Sequence, residues 1–189
     1  LVVAMLGVLT AGAAYLPLCF AIGVAASVSA QLLSRVGTRP MIVGGAVVAA
    51  GGMYWLSRIP VDGSYGSDIL PGLLVSSIGL GGVFVGATTN ANAGVDEDQA
   101  GLAAGLLNTG TQLGAALGLA VFSALATERT TSLLRAGDTT VAHAATEGFQ
   151  LALLVGAFFV FAAGAVAMLA RNNRQSAAVE EQPALDLAA

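Results

Sequence analysis

Apolar residues in this chain gather into long runs at about 12–34, 40–57, 69–92, 100–125 and 148–170, and nearly every charge lies between them. Each run is close to the ~20 residues that an α-helix needs to span a hydrocarbon core of about 30 Å. The pattern predicts five complete transmembrane helices. The breaks are Arg35-Val36-Gly37-Thr38-Arg39-Pro40, then Arg58 to Asp68 with Pro60 and Asp62-Gly63, then Val95-Asp96-Glu97-Asp98-Gln99, and a longer polar stretch from Glu128 to Glu147. The opening segment Leu1 to Leu9 is already apolar and has neither a basic n-region nor a signal-peptidase pattern, so it reads as the end of a sixth helix that begins upstream. Beyond Ala170 come Arg171-Asn172-Asn173-Arg174 and an acidic tail, 175–189, too poor in hydrophobics to pack and expected to be disordered.

Periodicity inside the runs separates faces that meet lipid from faces that cannot. In the fourth run, at about 100° per residue, Gly101, Gly105, Asn108 and Gln112 share one stripe, while Gly110, Gly114 and Gly118 fall on the opposite side. The second set is a small-xxx-small pattern suited to close helix packing. The first puts two amides in the membrane, where an unpaired amide costs several kcal/mol, so they require a partner helix or water. Interhelical glue and the lining of a substrate pathway satisfy that requirement equally. In the third run Gly72, Ser76, Gly79, Val83, Gly86 and Asn90 form a smooth stripe that ends in an amide. Gly23, Ser27, Ala30 and Ser34 do the same in the first run, where Pro17 is expected to kink the outer half.

Composition turns this pattern into a class. The 189 residues are 56% hydrophobic and 10% charged, with a mean hydropathy of +0.82, against roughly a quarter charged in soluble domains. The expectation is an all-α integral membrane domain over 1–174. The net charge is −4, and the seven basic residues, all Arg, do not cluster, so nucleic acid is excluded as a partner. Five crossings put Arg35, Arg39, Arg171 and Arg174 on one side and Arg58, Arg129 and Arg135 on the other, which places the C-terminus in the cytoplasm by the positive-inside rule. Tyr54, Trp55 and Tyr65 then mark the outer interface.

Chemistry is sparse. Cys19 is alone, which excludes an internal disulfide, and His143 is alone, which argues against a metal. Asp96-Glu97-Asp98 reads as a solvated loop before a helix N-terminus. No acid or base lies near the centre of a run, and no nucleophile pairs with a base, so neither an enzyme nor a cofactor is expected.

Three stretches carry a family resemblance. Leu33-Ser34-Arg35-Val36-Gly37-Thr38-Arg39-Pro40 resembles the second copy of a cytoplasmic signature loop, with Arg35, Gly37, Arg39 and Pro40 as its characteristic residues. Ala100 to Gly114, with its Gly, Asn-Thr and Gln-x-Gly, resembles a penultimate-helix pattern, and Tyr15-Leu16-Pro17-Leu18 resembles the helix before the loop. Together they resemble the C-terminal half of a major facilitator superfamily (MFS) transporter of the fourteen-helix drug:proton antiporter family. Thr111 departs from that pattern, since the family often carries Arg there. The resemblance implies a six-helix MFS-type bundle with both ends cytoplasmic in a bacterial plasma membrane, and proton-coupled efflux of drugs or small organic molecules by alternating access. It implies four partners: the lipid bilayer, an N-terminal half, a small-molecule substrate and protons. The candidate pathway residues are Asn108, Gln112, Gly101, Gly105 and Asn90. The alternatives are a non-transporting structural or accessory subunit, and an MFS facilitator of sugars or metabolites.

Overall fold

A computed structural model describes residues 2–137 and 140–169. The tail over 175–189, with Arg171 and Arg174, lies outside the described residues. The described chain is five helices: α1 (Val2–Val36), α2 (Thr38–Leu56), α3 (Leu70–Asn92), α4 (Ala100–Ala136) and α5 (Val141–Ala167). A π-helical turn, Tyr65–Ile69, leads into α3, and a 3-10 turn, Glu97–Gln99, leads into α4. By length and composition, Cys19–Val36, Tyr65–Asn92, α4 and α5 are apolar enough to cross a membrane.

Helix α2 falls short of that standard alone. It opens on Thr38-Arg39-Pro40, is rich in glycine and ends in Tyr54-Trp55. It is also the interior helix of the bundle, packed between α3 and α5. A helix covered by neighbours need not be as apolar as one bathed in lipid.

The boundaries differ from the sequence expectation in three places, each for a local reason. The expected helix end before Leu9 is not separate, because α1 runs unbroken from Val2 through Pro17 to Val36. Neither charge nor glycine pair interrupts it near residue 10. The 35–40 loop contracts to one residue: Gly37, at φ 93°, reverses the chain between α1 and α2 in a region closed to other side chains. The polar stretch after 125 is mostly helical, α4 continuing to Ala136. Ala, Leu, Glu and Arg favour helix wherever they lie, and only Gly137, at φ 79°, stops it. Thr140 then caps α5, its hydroxyl oxygen accepting from the His143 N–H at 3.3 Å.

A seam of small residues holds α2 and α3 together. The helices are antiparallel: each step of three or four residues up α2 is matched by one down α3. Gly52 faces Ser76 and Gly72, Gly45 and Ala49 face Gly79, and Ile42 faces Gly86. A Cβ on Gly79 would lie 2.5 Å from the Gly45 carbonyl oxygen and 2.7 Å from the Ala49 Cα, so the backbones are at van der Waals contact with no side chain between them. The Ser76 hydroxyl turns inward to donate to the Gly72 carbonyl at 2.7 Å, which removes a polar cost from the seam.

Helix α1 joins through a different face from the one its sequence suggests. Gly23, Ser27, Ala30 and Ser34 are exposed, whereas Ala25, Ser29 and Leu33 are buried. The reason lies on α3, which offers Gly81 and Gly82 to α1: a Cβ on Gly81 would sit 2.9 Å from the Ala25 Cβ. Helix α5 closes the other side. Gly164 meets Ala46 and Gly156 meets Met53 of α2, while Gly148 meets Ala126 and Thr130 of α4.

Candidate functional site

Helix α4 is the outlier of the bundle. None of its 37 residues is buried, and it touches mainly α5. Its inner-facing contacts come late: Phe122 packs edge-on to Phe159 with ring centroids 6.3 Å apart. Further along, the Thr130 hydroxyl donates to the carbonyls of Ala126 (2.7 Å) and Ala144 (3.2 Å), bridging α4 to α5. Arg129 reaches Glu147 at 2.7 Å, and His143 lies 3.2 Å from the same carboxylate.

The first half of α4 is uncovered on both polar and small faces. Asn108, Gln112, Gly101 and Gly105 are all exposed, and neither amide is hydrogen-bonded among the described residues. They lie eight and twelve residues from the start of α4, about 12 and 18 Å along the axis at 1.5 Å per residue. The opposite stripe is equally open: a Cβ on Gly110 or Gly114 would meet nothing within 4 Å, and one on Gly118 would meet only Phe122, at 3.8 Å. Beside Gly114 and Gly118 an apolar notch of about 330 Å³ opens toward Phe159.

The other candidates fall elsewhere. Gly72, Gly79 and Gly86 lie in the α2–α3 seam. Asn90 is apart from Asn108 and Gln112 and stands against the α1–α2 turn, with its Oδ1 accepting from the Thr38 hydroxyl at 3.3 Å. Within that turn Gly37 is buried, Arg35, Arg39 and Pro40 are exposed, and Pro40 occupies the first turn of α2, where its missing N–H costs nothing. The Thr38–Asn90 bond ties the C-terminal end of α3 to the α1–α2 turn, so those two breaks share one end of the bundle. Two ties at the other end carry no sequence signal beyond residue type. Gln150 Nε2 donates to the Ile59 carbonyl at 2.7 Å across 91 positions. Arg58 donates to the Tyr54 hydroxyl and lies 4.6 Å over the Tyr54 ring.

Comparison with known proteins adds what the fold alone does not. The chain is 32% identical over 175 residues, 89% of its length, to the puromycin resistance protein pur8 of Streptomyces alboniger. It is 34% identical over 151 residues, 79% of its length, to the uncharacterized MFS-type transporter EfpA of Mycobacterium tuberculosis. It is 39% identical over 90 residues, 48% of its length, to the cephamycin export protein CmcT of Amycolatopsis lactamdurans. These alignments cover 35%, 28% and 18% of the respective relatives, so the chain spans about a third of the length of the first of them. No protein-family profile matches the chain.

Proposed function

This multi-pass membrane chain is homologous to MFS-type transporters, and from that premise we propose that it is the C-terminal helix bundle of a proton-coupled efflux transporter for small organic molecules. Two relatives support the cargo class by name, one as a resistance protein for puromycin and one as an export protein for cephamycin. The observation that carries the reading is the open amide stripe of α4. Asn108 and Gln112 stand one turn apart in the first half of an apolar helix, with no described helix covering them, and transporters of this architecture bind substrate between two bundles. Gly101 and Gly105 lower the wall on the same stripe.

In this reading the rest of the transporter faces α4, and the alternation of access is a rocking of that body against this one. The proton-carrying group belongs to the facing body, because no acid or base lies near the centre of these spans. The end that holds Arg35 and Arg39 is cytoplasmic by the positive-inside rule, in a bacterial plasma membrane. Asn108→Ala and Gln112→Ala in the full-length protein are expected to change the resistance profile across a panel of antibiotics while membrane expression stays near wild type. A uniform fall in folded protein with each variant would assign the amides to helix association instead, and unchanged profiles at full expression would remove them from the pathway.

A further inference from the structure

Independently of what the protein transports, we propose that the cleft between α1 and α2 binds an anionic phospholipid of the bilayer, with one acyl chain in the cleft and the phosphate on Arg35. The two helices are joined by the single residue Gly37, yet each packs on α3 far more than on the other. They diverge over α3 and leave a cleft of about 700 Å³. Its walls are aliphatic: Val28, Leu32 and Val36 on α1 face Met41, Gly44 and Val48 on α2. Val28 is 56% exposed, Leu32 45% and Val48 41%, so these side chains are open to a hydrocarbon chain rather than closed on one another. A Cβ on Gly44 would meet nothing within 4 Å, so no helix contact demands glycine there; its missing side chain adds to the cleft.

Charge selects the occupant. Arg35 follows Leu32 by three residues and Val28 by seven, which puts it on the cleft face of α1, and it is exposed. On α1 the cleft wall runs from Phe20 to Val36, sixteen residues or about 24 Å, more than the ~15 Å depth of one leaflet. Arg35 stands beside Val36, at one end of an apolar slot long enough for an acyl chain. A guanidinium fork suits phosphate oxygens, and one molecule that places an aliphatic chain in the slot and an anion above it satisfies both.

Native mass spectrometry of the full-length protein, with phosphatidylglycerol or phosphatidylcholine of identical chains added to the micelles, tests this. Wild type is expected to retain phosphatidylglycerol about fivefold better, the order set by one Arg at an anionic surface. Arg35→Gln should keep lipid binding but lose the preference. Gly44→Leu should lose both lipids by filling the slot, and Val48→Phe, on the same wall, provides the same test if Gly44→Leu does not fold. Equal retention of the two lipids by wild type would overturn the proposal, as would an unchanged preference in Arg35→Gln or full retention in the filled variants. Absence of any bound lipid from wild type would overturn it as well.

Discussion

Adjacent glycines on α2 give a controlled perturbation of the bundle. Gly52 faces α3, and a Cβ there would lie 2.5 Å from the Ser76 nitrogen and 2.9 Å from the Gly72 carbonyl oxygen; Gly51 faces away, and a Cβ there would meet nothing within 4 Å. Replacing either by Ala brings the same gain in helix propensity, about 1 kcal/mol, so the difference between the variants isolates the seam. Backbone atoms cannot rotate aside, and the seam must open. A gap of about 0.5–1 Å forfeits roughly a quarter to a half of the attraction between facing atoms, and overpacking of this kind costs about 1–3 kcal/mol. At about 2–4 °C per kcal/mol for a domain of this size, Gly52→Ala should melt several degrees below Gly51→Ala. The measurement is retention of the monodisperse peak of the full-length protein after heating in detergent. If Gly52→Ala survives to the same temperature as Gly51→Ala, close backbone packing is not what joins α2 to α3.

Two further outcomes follow from single positions. Gly37→Ala should lower the melting temperature by an amount equivalent to about 1–3 kcal/mol, because φ 93° lies where only glycine is unstrained, and thermal melts of the same protein report it. Gln150→Leu should cost about 1 kcal/mol and leave the Ile59 carbonyl without its partner; limited proteolysis is expected to cut faster between residues 57 and 64.

Helix existence is legible in the sequence because lipid imposes long apolar runs. Helix ends are less so, because charge is a weak stop signal once the chain leaves the membrane. Glu128, Arg129 and Arg135 look like a loop by polarity, yet they continue α4, and the stop is the left-handed Gly137. The stripe of Gly72, Ser76, Gly79 and Gly86 can be read from spacing alone, but its partner cannot. Nothing in residue types says that it meets α2, or that α1 turns Ala25 and Ser29 inward rather than Gly23 and Ser27. For the candidate site, spacing shows that Asn108 and Gln112 share a face. The structure adds that no other described helix buries that face.

The α2–α3 seam also limits how the bundle can move. Gly52 sits over Ser76, and Gly79 sits over Gly45 and Ala49, so each helix presents notches that receive the other's backbone. A slide of one residue would drive Cβ atoms into backbone, and only a displacement of a full turn, about 5.4 Å, would bring notches back into line. Such interlocked surfaces have discrete settings rather than a continuous range. The helix pair behaves as a keyed joint, and displacement among these five helices has to be taken up at contacts outside the seam.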